Sequence, residues 1–357
     1  MNFSNRSPKQ FAQRLAGFLL IQICVGLFLY RYNSTENSNH YLASMQDKMT
    51  RLASLQESRL VILGGSNAAF GIHSPIFAES TGREVVNLGL HVSLGLEFPL
   101  RCYLPHAKPG DIVVVCPEYH VLIDDSQQQG DPVVTNQLIE QWPNATEYLE
   151  INQNHSWKQF LDHDSVLLAH QWVHRSIKMI RGRDKVDKIY RRSSFNQYGD
   201  LISHYQKVAP KLTSVTGLKT PEIKTLERTV DILNRFVEQC DHRGVTVYFA
   251  YPPFAKTTYE QSVTAIQRTK RVLRERCKVI QLNQPEDNVY SDDCFFDSAY
   301  HLNGVTGEKQ SRRLATSIIN LQRRSSEKMP EQLNKENPDS SPRIAKQKQS
   351  SSPIKPR

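Results

Sequence analysis

The chain carries few residues arranged to bind a metal ion or a nucleic acid. Its six cysteines and twelve histidines show no zinc-ligand spacing, and no aromatic-rich RNA-binding motif accompanies the basic residues. The sequence therefore predicts no metal, no cofactor and no nucleic-acid partner. Five cysteines lie outside the one long apolar run. A disulfide between Cys240 and Cys277 stays an open alternative, since each ends a helix-like segment before a strand.

Acidic residues are too few to balance the basic ones, and the net charge is +9. Part of the excess lies in residues 324–357, which are rich in Ser, Pro, Lys, Gln and Asn without apolar periodicity. Such a segment cannot bury enough surface to fold, so we predict a disordered basic tail. A second basic stretch, Arg175 to Arg192, is interpreted as a solvated helix face, with contact to anionic lipid or a polyanionic glycan as the alternative.

Only one long apolar run is present, from Leu15 to Tyr30, and it contains no charge. As a helix it would span about 24 Å, somewhat less than the hydrocarbon core of a bilayer, and the flanking Arg14 and Arg31 can reach the interface. No small-residue cleavage site follows Tyr30, which favours an uncleaved anchor over a signal peptide. We predict a membrane anchor over residues 1–32, inserted in the inner membrane through residues 15–30.

Orientation follows from the charges before the span, which are all basic: Arg6, Lys9 and Arg14. Positive residues stay on the cytoplasmic side. The sequence therefore predicts a single-pass protein with a cytoplasmic N-terminus and a periplasmic or extracellular main domain. Residues 33–57 are polar and are predicted to form a helical stalk.

After residue 58, short apolar runs alternate with helical patterns, which is typical of a parallel sheet covered by helices on both faces. Strands are predicted at residues 59–63, 84–88, 111–116, 245–251 and 278–282. Helices are predicted at residues 94–104, 220–240, 257–277 and 305–323. The fold class is therefore α/β, a three-layer domain over residues 58–323. The long gap between the third and fourth strands predicts a helical insertion over residues 120–219, placed as a lid or substrate platform.

A serine and a distant Asp–His pair are the most informative residues. Ser66 follows the first predicted strand within Gly64-Gly65-Ser66-Asn67, and Asp297 and His301 precede the last predicted helix. Individually these residues have plainer interpretations, because Gly-Gly-Ser also follows strands in nucleotide-binding folds and a histidine can cap a helix. Together, and in this order, they favour a serine nucleophile with His301 as base and Asp297 as its orienting group.

These motifs resemble the SGNH (GDSL-like) hydrolase superfamily, and most closely its membrane-anchored branch, which includes the D-alanyl-lipoteichoic-acid biosynthesis and alginate O-acetylation proteins. The matching blocks are Gly64–Asn67, Asn87-Leu88-Gly89 and Asp297…His301. The resemblance implies a flavodoxin-like three-layer fold and a Ser66–His301–Asp297 site. It also implies oxyanion-hole or pocket positions, which are Gly65, Asn67, Gly89, Glu118 and Tyr119.

The sequence departs from the family pattern at three places. Glu118 stands where the family offers an Asn side chain to the oxyanion, so we expect the oxyanion hole to rest on backbone N–H groups of Ser66 and of the loop from Gly89 to Gly95. The usual second-block glycine is replaced near Val92. The spacing between Asp297 and His301 is longer than usual, which leaves Asp292 or Asp293 as alternative orienting groups.

The expected function is acyl transfer by a membrane-anchored serine esterase or O-acyltransferase. Its substrates would be acyl esters of cell-envelope glycans or a small acylated ester, and a membrane-bound acyltransferase is the expected partner. The alternative is a catalytically inactive scaffold or glycan-binding subunit of an envelope complex, in which Trp142, Trp157 and Trp172 offer surfaces for stacking sugars.

Overall fold

A computed structural model describes residues 8–37, 39–149, 188–207, 212 and 216–336 of the chain. Five parallel strands form its central sheet, in the order β2-β1-β3-β4-β6. Their bounds are β1 Arg59–Gly64, β2 Glu84–Asn87, β3 Ile112–Cys116, β4 Thr246–Phe249 and β6 Ile280–Gln281. Two further strands, β5 Phe254–Ala255 and β7 Val289–Tyr290, pair separately. The α/β class and all five predicted strands are confirmed, and the fifth strand is shorter than expected.

The helices lie between and after these strands. Their bounds are α1 Pro8–Asn37, α2 Ser44–Ser54, α3 Ser66–Gly71, α4 Ser74–Thr81, α5 Glu97–Tyr103, α6 Tyr119–Ile123, α7 Asp125–Gln129, α8 Pro132–Gln141, α9 Ile223–Asp241, α10 Lys256–Arg276 and α11 Gly304–Glu336. The helix predicted from residue 94 begins only at Glu97, because Gly95 adopts a positive φ of 84° that ends the preceding turn. Asn303 caps α11 by accepting a hydrogen bond from the Thr306 N–H, which stabilises the helix start.

Alternate residues of the strands enter two separate cores. Val61, Val113 and Val247 belong to one apolar cluster, shared with residues of α2, α5, α9 and α10. Leu60 and Ile112 belong to the other, which contains residues of α4 and α11. Because successive side chains of a strand point to opposite faces, this division places helices on both faces of the sheet. Both faces are apolar, as expected of buried parallel strands.

The segment predicted as a polar stalk is helical in its second half, but it packs into the core. Leu42, Met45 and Leu52 are buried in the same cluster as the central strands. Polar residues separate these apolar ones at helical spacing, which is the pattern of an amphipathic helix rather than of a solvated stalk. The domain therefore includes α2 and begins before residue 58.

The two ends of the chain are helical where they are described. Helix α1 covers the apolar run from Leu15 to Tyr30. Within the described ranges, none of the helices is both long enough and apolar enough to cross a membrane. Residues 1–7 lie outside those ranges, so the anchor stays a prediction. Helix α11 continues to Glu336, past residue 324 where the disordered tail was predicted to begin, and residues 337–357 are not described.

The predicted insertion is described only at its two ends. Helices α6, α7 and α8 follow β3 directly, and residues 188–207 contain a 3-10 turn at Arg192–Ser194 and isolated β-bridges. Residues 150–187, with Trp157 and Trp172, lie outside the described residues. All six cysteines are free, so the open alternative of a disulfide between Cys240 and Cys277 is wrong.

Candidate active site

Ser66 lies where β1 ends and α3 begins, at the carboxyl edge of the sheet. Two glycines precede it for steric reasons. A Cβ on Gly64 would lie 2.4 Å from the carbonyl oxygen of Cys116 in the neighbouring strand, and a Cβ on Gly65 would lie 2.9 Å from Glu118 Oε1. The glycines therefore allow β3 and the Glu118 side chain to approach the start of α3. Ser66 itself is mostly buried, with 9% of its surface exposed.

Glu118 follows β3 and is the direct hydrogen-bond partner of the serine. The Ser66 hydroxyl donates to Glu118 Oε1 at 2.8 Å, and the Asn67 N–H donates to the same oxygen at 3.1 Å. Glu118 is buried. Glu118 stands where the resembling family has an asparagine, and the structure places its carboxylate directly on the serine.

Asp297 and His301 form the expected pair despite their unusual spacing. His301 Nδ1 and Asp297 Oδ1 are 2.6 Å apart. Burial raises the pKa of Asp297, but the hydrogen bonds from His301 and Tyr190 and the charge of His301 outweigh it, so the pKa is lowered overall. A carboxylate held in its charged form beside Nδ1 fixes the ring tautomer that leaves Nε2 free to act as a base.

The His301 ring stacks on Phe70, with ring centroids 4.0 Å apart and planes 7° from parallel. Phe70 lies four residues after Ser66 in α3, and residues at this spacing share one face of a helix. The stack therefore aligns His301 with the helix that carries Ser66. No hydrogen bond joins Ser66 to His301 among the described residues, because the hydroxyl is engaged by Glu118.

Tyr190 adds a contact from the far end of the predicted insertion. Its hydroxyl donates to Asp297 Oδ2 at 2.6 Å, and its ring packs against the rings of Phe70 and Tyr41. Both Asp297 oxygens thus have a hydrogen-bond donor. The pair is positioned by a residue 107 positions away in sequence.

The loop after β2 is fixed against α3 through Asn87. The Asn87 side chain donates to the Ala68 carbonyl and to Asp200 Oδ1, and it accepts a hydrogen bond from the Gly89 N–H. Gly89 approaches α3 so closely that a Cβ would lie 2.7 Å from the Ala69 nitrogen. The Gly89 N–H was expected in the oxyanion hole, and the structure engages it with Asn87 instead.

A buried lysine of α2 holds the same loop from the other side. Lys48 Nζ donates to the carbonyls of Asn87, Gly89 and Gly199 at 3.0, 2.6 and 2.6 Å. Burial lowers the pKa of Lys48 to about 7, opposed by the negative charges of Asp200 and Asp47. The three carbonyls use all three ammonium protons, which is what allows the charged form in this place.

Some of the side chains expected at the site make contacts that hold the fold together. Tyr119 is 1% exposed and packs edge-on against Phe254, which places it in the core below the carboxyl edge of the sheet. The Asn67 side chain donates to the Cys116 carbonyl and ties α3 to β3. Asp292 accepts hydrogen bonds from the N–H and hydroxyl of Thr257, which leaves Asp297 as the partner of His301.

Trp142 was offered as a sugar-stacking surface only under the scaffold alternative; it is buried and stacks on Tyr148. Sequence reasoning missed Tyr190 and Lys48. Nothing local marks either residue, since both act through contacts that are distant in sequence.

Comparison of the chain with known protein families and with curated proteins gave no matching family model and no matching protein. Within the part of the chain that the structure describes, no group of three or more His, Cys, Asp or Glu side chains is placed to hold a metal ion.

Proposed function

We propose that the chain is a serine esterase or O-acyltransferase in which Ser66 is the nucleophile, His301 the base and Asp297 the orienting group. One observation carries the proposal: the Asp297–His301 pair has its imidazole stacked on Phe70, one helical turn from Ser66 on α3. Such a pair beside a serine at the start of a helix is the arrangement that acyl transfer requires.

The reaction would proceed in two steps. His301 Nε2 takes the proton of the Ser66 hydroxyl as Oγ attacks the ester carbonyl, and the protonated ring then gives that proton to the departing alcohol. Asp297 stabilises the imidazolium. The acyl group on Ser66 is then transferred to water, or to a carbohydrate hydroxyl if the enzyme is a transferase.

The described state would be a resting one, because the Ser66 hydroxyl has to exchange Glu118 for His301 before it can react. Hydrogen bonds in unliganded sites commonly differ from those formed with substrate. We propose that a rotation of the serine side chain makes this exchange while α3 stays in place. Substrate that approaches the serine would compete with Glu118 for the same space.

The fold supports the same proposal. Counted along the chain, the five central strands have the order 2-1-3-4-5, which is that of flavodoxin-like sheets, and ligands in such folds bind at the carboxyl edge between the first and third strands. Ser66 follows β1 and Glu118 follows β3, so they flank this crevice. We therefore propose the SGNH-type fold that the sequence resembles, with the insertion after β3 lying beside the site.

A small apolar cleft reaches Gly65 beside the serine, and it would have to widen to take an acyl group. It is lined by residues of the strand ends, of the loop after β2 and of α5, among them Gly65, Val92, Leu96, Leu100 and Val121. We propose an acyl ester of a cell-envelope glycan as the substrate, in a protein anchored by residues 15–30 and working with a membrane-bound acyltransferase on the outer face of the inner membrane.

Labelling with a fluorophosphonate tests the nucleophile directly. The wild-type protein should be labelled, Ser66→Ala should not, and Ser80→Ala, an exposed serine on α4, should be labelled like the wild type. Absence of labelling of the wild type between pH 6 and 9 would refute an activated serine.

The second candidate is an inactive scaffold or glycan-binding subunit. One observation favours it: the Ser66 hydroxyl is bonded to a carboxylate that also takes the Asn67 N–H, which would be a stable end state in a decayed site. On this hypothesis Ser66→Ala leaves glycan binding unchanged and no ester is turned over.

A further inference from the structure

The proposed reaction needs a hydrogen-bond donor that the surroundings of Ser66 largely lack. Three backbone donors near the serine have other partners: the Asn67 N–H is bonded to Glu118, the Gly89 N–H to Asn87 and the Gly95 N–H to the Val92 carbonyl. The position that holds an asparagine in the resembling family is occupied by Glu118. Of the backbone donors expected from the sequence, this leaves the Ser66 N–H, so a second donor for the tetrahedral intermediate has to come from elsewhere.

The loop after β2 brings one side chain to the start of α3. Before His91 in the chain, Gly89 lies against Ala68 and Ala69 of α3. After His91, Val92 lies against Gly65, where an added Cβ would be 3.2 Å from Val92 Cα. His91 is thus held between two contacts with the residues that bracket Ser66. Its ring also meets the Tyr41 ring edge-on, and the Tyr41 hydroxyl donates to the Leu90 carbonyl.

The hydrogen bonds of the His91 ring fix its tautomer. The Ser93 N–H donates to His91 Nδ1 at 3.1 Å, so Nδ1 carries no proton and the neutral ring has its proton on Nε2. Burial lowers the pKa of His91, against the opposing charge of Glu118, which keeps the ring neutral. Among the described residues Nε2 has no hydrogen-bond partner, and it is not a buried atom. A positioned N–H group is therefore free to meet a ligand.

We propose that the His91 Nε2–H donates a hydrogen bond to the carbonyl oxygen of the substrate, and so takes the place of the missing asparagine. The inference rests on the proposed function of Ser66. As Ser66 Oγ bonds to the carbonyl carbon and its proton passes to His301, the carbonyl π electrons move to oxygen and His91 stabilises the resulting oxyanion. When the C–O bond to the leaving alcohol breaks, the carbonyl re-forms and the alcohol takes the proton from His301.

Two variants separate this role from the role of His91 in the loop. His91→Asn keeps an acceptor for the Ser93 N–H, since asparagine is a preferred cap, but it cannot extend a donor as far as Nε2. His91→Gln restores a donor of similar reach. With p-nitrophenyl acetate as the probe, we expect kcat to fall by about 10²–10³-fold in His91→Asn, as when an oxyanion-hole donor is removed, with KM and melting temperature little changed. His91→Gln should recover part of kcat.

The control is His242→Gln, an exposed histidine after α9 at the opposite edge of the sheet, which should match the wild type. Turnover by His91→Asn at the wild-type rate would overturn the inference, as would an equal loss in His91→Asn and His91→Gln. These outcomes are distinct from failure of the proposed function, in which the wild type neither labels with fluorophosphonate nor turns over the ester.

Discussion

The Ser66 hydroxyl donates its hydrogen bond to the Glu118 carboxylate, with Oγ and Oε1 2.8 Å apart. A negative charge at this distance disfavours the oxyanion that forms on the substrate during attack. In the proposed reaction the Glu118 carboxylate therefore lowers kcat.

Replacement of Glu118 by glutamine should raise activity. The amide keeps an acceptor for Ser66 and Asn67 and removes the charge beside the reacting centre. We expect kcat on a chromogenic ester to rise about tenfold, which corresponds to about 1.4 kcal/mol of activation free energy. A fall in kcat in Glu118→Gln would instead show that the carboxylate takes part in proton transfer.

Replacement of Asp297 by asparagine should lower kcat by roughly two to four orders of magnitude with KM nearly unchanged, because the amide favours the wrong tautomer and does not stabilise the imidazolium. Asp292→Asn is the matched control. Asp292 accepts hydrogen bonds from Thr257, so its loss should affect stability rather than turnover. A greater loss of kcat in Asp292→Asn would contradict the assignment.

Replacement of Tyr190 by phenylalanine removes one donor to Asp297 and keeps the ring packing. Because that hydrogen bond contributes to the lowered pKa of Asp297, the variant should show a higher pKa for this carboxylate and a loss of kcat of roughly five- to tenfold, about 1 kcal/mol for one hydrogen bond. An NMR titration of the Asp297 carboxyl measures its pKa, and steady-state kinetics measure the loss of kcat. An unchanged pKa of Asp297 would mean that Tyr190 only packs.

Acid should destabilise the protein through His204. Burial lowers the pKa of His204 to about 4, whereas the unfolded ring titrates near 6.5. Between these values the unfolded state binds more protons, so the free energy of unfolding rises with pH from about 4 to about 6.5. The ring donates from Nε2 to the Leu302 carbonyl, and its buried Nδ1 has no partner among the described residues. Urea unfolding of His204→Gln at pH 5 and pH 7 should show a smaller difference than the wild type.

The buried pair of Arg59 and Asp111 should dominate stability at the opposite edge of the sheet. Both side chains are fully buried, with 2.7 Å between Nη2 and Oδ2, and Asp111 also accepts hydrogen bonds from Tyr103 and the Arg59 N–H. Asp111→Asn leaves an uncompensated guanidinium, which costs about 3–5 kcal/mol. Thermal unfolding measures this loss. A shift as small as that of the exposed Asp241→Asn would contradict it.

The sheet and the Asp297–His301 pair could be predicted from the sequence because their evidence is local. Short apolar runs mark the strands, and Asp297 and His301 stand four residues apart just before a helix, so one short turn is enough to bring them together. The contacts of α2 could not be predicted in this way. Lys48 suggests a solvent-exposed helix, and only the carbonyls of Asn87, Gly89 and Gly199, supplied by distant segments, make its burial favourable.

The hydrogen-bond partner of Glu118 is a second feature that could not be predicted from the sequence. The sequence placed Glu118 correctly at the end of the third strand, but the partner of a carboxylate depends on side-chain geometry that no periodicity records. Tyr190 is similar, because its position near Asp297 depends on the path of the chain through residues 120–219.

The three carbonyls around Lys48 also have a kinetic consequence. The contact with Gly199 joins residues 151 positions apart. The chain loses conformational entropy when so long a loop closes, and the contact can stabilise the fold only after that closure. Until residues 195–200 have packed against α2, the Lys48 ammonium lacks the Gly199 carbonyl as a hydrogen-bond partner. Its burial is then unfavourable, and α2 cannot pack fully against the loop after β2. We therefore expect the loop that carries His91 to reach its final conformation late in folding, after the sheet itself has formed.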